Sequence, residues 1–284
     1  MPKHQKIGLH VSAAGGVEKA PERAREFNAE CFQFFSRSPR GGGAPKITDD
    51  QAKAFKASCK KYGYESYIHT PYYINFASKN QKIYHGSINC VREELERGNQ
   101  LGVKYAMTHL GSAKDWAGGV DNQVLKYAIA GLKKIYIGNP VFTTKLLLEI
   151  SAGAGAVLGD NFEELAALLK GLGRPDVHIC LDTCHLFASG YDIRDKKSWT
   201  ATLKELKKYL PLSQIKLVHV NDSKGDLGDH KDRHEHIGQG QIGETGFKAM
   251  LAHPALRKVN FILETKHDKL IHDDLAFLKK HRPG

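Results

Sequence analysis

Short apolar runs rich in β-branched and aromatic residues alternate with longer stretches of helical spacing along nearly the whole chain. No other feature restricts the fold as much. The apolar runs cover residues 6–11, 31–35, 66–69, 105–109, 145–150, 178–182, 215–220 and 261–264. Between them, residues 16–28, 49–62, 79–101, 122–138, 162–173, 197–210, 246–253 and 270–281 carry apolar side chains at the three- and four-residue intervals of an amphipathic helix. Eight strand–helix units in strict alternation predict an α/β protein with a single (β/α)8 TIM barrel spanning residues 1–284. A doubly wound open sheet alternates in the same way, so the count favours the barrel without excluding the sheet. The two longest irregular segments, 37–46 and 222–243, both follow strands, where a barrel carries its functional loops.

What the strands end on is as informative as their number. His69 closes ESYIH, His109 closes YAMTH, Glu149 closes KLLLE, Asp182 closes HICLD, His219 lies in IKLVH, and Glu264 closes FILE. A charged or imidazole side chain at the end of an apolar strand is costly without a partner. Taken alone, each has an ordinary explanation as a hydrogen-bonded packing residue or the partner of a lysine. In a barrel, however, all C-terminal strand ends converge on one face, and carboxylates gathered there without a cation would repel one another. His185 adds a further ligand type three residues after Asp182, on the loop expected to leave the sixth strand. The stretch DHKDRHEHIGQG, residues 229–240, has six more candidates, of which Asp232 and His234 form a short chelate. So many nitrogen and oxygen donors exceed the four that one tetrahedral zinc takes, and two or three metal ions are expected. The mixture suits zinc, with manganese or iron as competitors, and is too rich in nitrogen for magnesium or calcium.

The formal charge of +11 and a pI near 9.3 point to a polyanionic partner such as nucleic acid. Metal clusters of this kind activate water and stabilise the leaving oxygen in phosphodiester hydrolysis, which unites the two readings. Other classes find little support. No apolar run approaches the roughly 20 residues of a membrane span, and no signal peptide precedes the first strand, so a cytoplasmic location is expected, or a nuclear one in a nucleated cell. Five scattered cysteines argue against both a disulfide framework and a cysteine zinc site. The segment RGGGAP lacks the spacing of a phosphate loop, so no nucleotide cofactor is expected.

From first strand to last, the chain resembles the endonuclease IV family of zinc-dependent apurinic/apyrimidinic endonucleases. The resemblance rests on LHVSAAGG, HTPYYIN, THLGS, LLLEISAGAG, LDTCHLFASGYD, VHVNDSKGDLGDHKDRHEHIGQG and FILET. It implies a trinuclear zinc centre that cuts double-stranded DNA 5′ to an abasic site, leaving a 3′-hydroxyl and a 5′-deoxyribose phosphate. His69, His109 and Glu149 would hold the first zinc. Glu149, the implied catalytic residue, would bridge to the second, which also takes Asp182, His219 and Glu264. His185, Asp232 and His234 would hold the third. Hydroxide bridging the first two ions would be the nucleophile.

Two departures stand out. Ile150, Ser151 and Ala154 replace an Asn-Thr pair and a Gln common in the family, which puts the hydrogen bonds that support the ligands in question. The loop SRSPRGGGAP lacks the family's Arg-Gln-Trp, leaving Arg40 and Tyr72 as candidates for contacting DNA, with Lys231 and Arg233 expected to meet phosphate. Asp229, His230, Glu235 and His236 are expected to be solvated or merely supporting. The rival enzyme is a metal-dependent sugar isomerase or epimerase on the same barrel, which leaves a third ion site unexplained. A non-catalytic DNA-binding module has no helix-turn-helix or finger spacing to support it. A monomer suits an enzyme that lies along a duplex.

Overall fold

The computed structural model describes residues 5–138 and 140–283. Eight parallel strands close into a barrel: β1 (Ile7–Val11), β2 (Cys31–Phe34), β3 (Glu65–His69), β4 (Tyr105–Thr108), β5 (Lys145–Glu149), β6 (His178–Asp182), β7 (Ile215–His219) and β10 (Asn260–Leu263). Each strand pairs with its neighbour in sequence, and β10 closes the ring between β7 and β1. Closure rules out the open doubly wound sheet.

Strand side chains alternate between two separate cores. Those pointing inward, Cys31, Tyr67, Tyr105, Met107, Leu147, Cys180, Leu217 and Ile262, fill the barrel interior. Their neighbours, among them Leu9, Phe32, Ile68, Ala106, Leu148, Leu181, Val218 and Leu263, face out against the helices. Continuous apolar runs follow from being buried on both faces. At Gly8 the ring leaves no room for a side chain, since a Cβ there would lie 1.7 Å from the Cys31 carbonyl oxygen.

The outer helices are α1 (Ala20–Glu26), α2 (Asp49–Tyr62), α3 (Gln81–Leu101), α4 (Asn122–Lys134), α5 (Phe162–Leu172), α7 (Lys196–Tyr209), α8 (Gly243–Ala252) and α9 (Ile271–His281), with a short α6 (Thr183–Ala188) after β6. Local chemistry sets several ends. Thr48 and Gln51 form a reciprocal capping box at α2, and Asn80 and Asn161 cap α3 and α5. Gly63, Gly102 and Gly173 end the same three helices in the left-handed conformation.

Several expectations need correction. The predicted helix 16–28 opens with a 3-10 turn at Val17–Lys19, because Pro21 has no N–H to donate and suits only a helix's first turn. His109, Ile150, Val220 and Glu264 lie just past their strands rather than within them. The segment 222–243 is not wholly irregular: Asp222–Ser223 (β8) pairs antiparallel with His234–Glu235 (β9). Among the described residues, no helix is long and apolar enough to cross a membrane.

Candidate metal centre

Period-two geometry puts the last inward residue of each strand on the C-terminal rim. His69, Glu149, Asp182 and His219 end β3, β5, β6 and β7, while His109 and Glu264 directly follow β4 and β10. Among the described residues, three groups made only of histidines and carboxylates have their ligand atoms within 4.8 Å of one another: His69, His109 and Glu149; Glu149, Asp182, His219 and Glu264; and His185, Asp232 and His234; two further groups add buried Cys180 to Glu149 and His219, and buried Cys184 to Asp182 and His234. Glu149 belongs to the first two groups. Above them opens a cavity of about 530 Å³, lined by His69, Tyr72, His109, His185, Asp232, Arg233, His234 and Glu264, with His10, Phe35, Lys224, Thr265 and His267.

Glu149, Asp182 and His219 are fully buried beneath this cavity. His219 Nδ1 lies 2.8 Å from Glu149 Oε1, 3.2 Å from Glu264 Oε2 and 3.9 Å from Asp182 Oδ2. His109 Nδ1 is 3.2 Å from Glu149 Oε2. In the third group Asp232 spans two rings, with Oδ2 3.3 Å from His185 Nε2 and Oδ1 3.1 Å from His234 Nε2. Asp232 and His234 are two residues apart and reach the same ion site, and Arg233 between them lines the cavity above it.

His185 is not on a loop, as its spacing suggested, but on α6. Asp182 caps that helix by accepting from the His185 N–H at 2.9 Å, so one carboxylate both shapes the turn and faces the site. The six residues of α6 are all buried and show no amphipathic period, which hides the helix from a pattern reading.

The rings are oriented by their second nitrogens. His69 Nδ1 lies 2.6 Å from the Thr70 carbonyl oxygen, His185 Nδ1 2.9 Å from that of Ile150, and His219 Nε2 3.0 Å from Gln33 Oε1. Nε2 of His69 and of His185 is thereby left facing the site. The Ile150 contact resolves one departure from the family pattern: a backbone carbonyl does the orienting, so the side chain at 150 need not be polar. Ser151 instead ties its own loop, donating to the Leu158 carbonyl at 2.7 Å, and Ala154 is exposed.

Burial and charge divide the site electrostatically. Burial holds the His69 imidazole down at about 3 despite Glu264, so it is neutral, as a metal ligand must be. Burial would raise Glu149, but His109, His219 and His185 outweigh it and lower the carboxyl to about 2. His234 goes the other way, to about 9, because Asp232 and Asp182 overcome its desolvation.

The donor set fits metal ions. Glu149 Oε2 and His234 Nε2 are buried and make no well-aligned hydrogen bond, although His109 and Asp232 approach them to 3.2 and 3.1 Å, and three carboxylates crowd around His219. A divalent cation would satisfy both atoms and neutralise the crowding, and mixed imidazole and carboxylate ligation suits zinc, manganese or iron.

The residues expected to meet DNA are placed unequally. Tyr72 is 60% exposed at the rim, edge-on to Phe35 and His69 at ring separations of 5.2 and 5.4 Å. Arg233 lines the cavity, and Lys231 is exposed beside it with its Nζ 3.5 Å from Asp229 Oδ2. Arg40 is exposed on the loop after β2 and is not among the cavity's lining residues. Its loop still reaches the rim, since the Tyr72 N–H donates to the Pro39 carbonyl. Arg37 and Arg97 anchor that loop to α3 through buried Glu94 and the Ser36 carbonyl.

His10, Gln33, Asn221 and Asp222 were missed. Gln33 donates to Glu264 at 2.6 Å, and Asn221 bridges Asp182 and the Glu264 N–H. Asp222 takes the N–H groups of Gly238, Ile242 and Gly243, folding the IGQG turn onto β8. Gly240 allows that approach, since a Cβ there would meet the Ser223 carbonyl oxygen at 2.3 Å. His10 and Gln33 were detectable as polar residues inside apolar strands. Of the two roles expected for His236, solvated or supporting, its burial and its position 2.7 Å from Asp274 Oδ2 fit the second.

A family model described as the xylose isomerase-like TIM barrel matches residues 21–281. The probable endonuclease 4 of Carboxydothermus hydrogenoformans is 38% identical over 277 residues, covering 97% of this chain and 96% of that protein. The crystal structure of endonuclease IV from Thermus thermophilus superposes with a TM-score of 0.86 at 31% identity, over 97% of this chain and 98% of that one. A D-tagatose 3-epimerase-like protein superposes at 0.75 with 19% identity, over 98% and 97%, a likeness of fold alone. Sequence identity of this order over nearly the full length, on the same closed barrel, makes this chain a member of the endonuclease IV family and an endonuclease.

Proposed function

We propose that this protein is a DNA-repair enzyme, working as a monomer of one domain, that hydrolyses the phosphodiester bond 5′ to abasic sites in duplex DNA and leaves a 3′-hydroxyl and a 5′-deoxyribose phosphate. The observation that carries the reading is the grouping of nine donors into three clusters, the first two of which share Glu149. In this reading three zinc ions are held, one by His69, His109 and Glu149, one by Glu149, Asp182, His219 and Glu264, and one by His185, Asp232 and His234. Manganese or iron can compete at one of them. Bound zinc supplies water acidified to a pKa of about 7 and positive charge for the oxygens of the phosphodiester.

The chain's own residues do the rest. Thr70, Ile150 and Gln33 fix the imidazole rings so that the donors are preorganised. Buried Glu149 stays ionised far below neutral pH and supplies negative charge without a proton to shed. Arg233 and Lys224, on the cavity wall, suit the backbone phosphates, and Lys231 beside them adds to the attraction. Tyr72 stands above the site, where an aromatic face can stack on a base or fill the space left by an extruded nucleotide.

The test is a duplex with one abasic site, incubated with the purified protein with and without chelator. Nicking on the 5′ side, a 3′-hydroxyl product and loss of activity on chelation are expected. Failure to nick it, alongside epimerisation of a ketose, would overturn the reading in favour of the sugar-converting enzymes that share the barrel.

A further inference from the structure

We propose that Asp274 is a positioning residue for the His185–Asp232–His234 site, acting as a clamp that sets the distance of the loop bearing Asp232 and His234 from the end of β10. The inference rests on the reading that these three side chains hold one ion. Asp274 lies in the first turn of α9 and is 3% exposed. Its carboxylate serves three donors: Oδ2 accepts from Thr265 Oγ1 at 2.8 Å and from His236 Nδ1 at 2.7 Å, and Oδ1 accepts from the Ile237 N–H at 2.9 Å.

The sequence positions of those donors give the clamp its meaning. Thr265 follows Glu264 directly, and His236 and Ile237 come two and three residues after His234. One buried carboxylate therefore joins the strand end bearing one ligand to the loop bearing two others. Asp232 cannot pin itself, because its side chain is half exposed. The loop is tied to β8 by the β8–β9 pairing at His234 and Glu235, by the Lys224 N–H on the Arg233 carbonyl and by the Gly238 N–H on Asp222, and to α6 by the His230 N–H on the Ala188 carbonyl. Asp274 adds a tie from the loop to the end of β10. His69, His109 and Glu149 stand on β3, at the end of β4 and on β5, away from these contacts, and Glu264, although next to Thr265, is held independently by Gln33 and Asn221, so loss of the clamp should loosen the third ion selectively.

Hydrogen bonds made directly to metal ligands are worth about 10–100-fold in metal affinity or activity, and Asp274, which acts through residues next to the ligands, is expected within that range. Zinc per chain would be measured against increasing chelator for the wild type, Asp274→Ala, Asp274→Asn and His236→Asn, with kcat and KM on the abasic duplex and a thermal melt of each. The wild type should hold three ions. Asp274→Ala should shed one of them at chelator concentrations some 10–100-fold lower, and kcat should fall while KM changes less than about threefold. His236→Asn keeps an amide donor near the position of Nδ1 and should retain the third ion. Asp274→Asn keeps the acceptor for Ile237 and provides a folded comparison if the alanine variant does not fold. The clamp is overturned if the third ion is held as tightly without Asp274 as with it, or if all ions are lost in parallel. A wild-type count of one or two would instead overturn the three-ion reading on which it rests.

Discussion

Replacing Glu149 with Gln tests how the site behaves before it is loaded. The side chain is fully buried, with its two oxygens 2.8 Å from His219 Nδ1 and 3.2 Å from His109 Nδ1. Burial opposes the charge, yet the histidines bring the carboxyl from 4.5 to about 2. That difference is roughly 3 kcal/mol in favour of the ionised form in the folded protein. The folded value lies below the unfolded one, so the contribution is complete above about pH 4.5 and is lost as pH falls through about 2. Glutamine has the shape of a protonated glutamic acid. Chelator-treated Glu149→Gln should therefore match the chelator-treated wild type near pH 2 and be less stable by roughly 3 kcal/mol at pH 7. The gap is bounded, because His219 can shed its proton when its partner is neutralised. Urea unfolding of both proteins across this range measures it. A gap that is the same at every pH, or a variant as stable as the wild type at pH 7, would refute the reasoning. In the loaded enzyme the same substitution should reduce nicking by about a thousandfold or more, and Glu149→Ala should abolish it, while binding of abasic duplex suffers far less.

Tyr72 is exposed, so Tyr72→Ala should leave the melting temperature nearly unchanged. It should lower kcat/KM on abasic duplex by about tenfold, the value of one stacked aromatic face; unchanged kinetics would remove it from recognition. Arg233→Ala should weaken DNA binding and reduce the slope of log K against log salt by about 0.9, the loss of one phosphate contact. Lys231→Ala should do less, since Lys231 already faces Asp229, and an equal or larger effect would reverse that order.

How far the structure could be anticipated depended on the length and burial of each element. All eight barrel strands lie within or beside their predicted spans, because a strand covered on both faces leaves an uninterrupted apolar run that reads clearly. Their ends were less clear, since His109 and Glu264 continue the alternation of side chains one residue beyond the last ladder hydrogen bond. Neither α6 nor the β8–β9 hairpin showed in the pattern. The first is buried on every side, and the second has only two residues per strand. In the stretch 229–240, composition alone offered six candidates, and it took the short Asp232–His234 spacing and the family resemblance to single out those two, which join His185, from His236, which joins Asp274. Arg40 and Tyr72 looked equivalent in the sequence, yet only Tyr72 lines the cavity.

By itself the sequence determined the alternation that closes a barrel and the kinds of side chain that end its strands. Both are local properties, set by hydrophobic period and by the cost of leaving a polar group at the end of an apolar strand. No local pattern could group the donors into sites: the grouping was implied only by the family resemblance, and its physical cause is the tertiary structure. Glu149 lies 70 residues from His219 in sequence and 2.8 Å from it in space, a distance set by ring closure and strand register. Tertiary structure likewise decided that backbone carbonyls and Gln33 orient the rings, and that a carboxylate on the last helix holds the loop of Asp232 and His234. Hydrogen bonds across a closed barrel depend on where every strand sits relative to the others, and no local pattern carries that information.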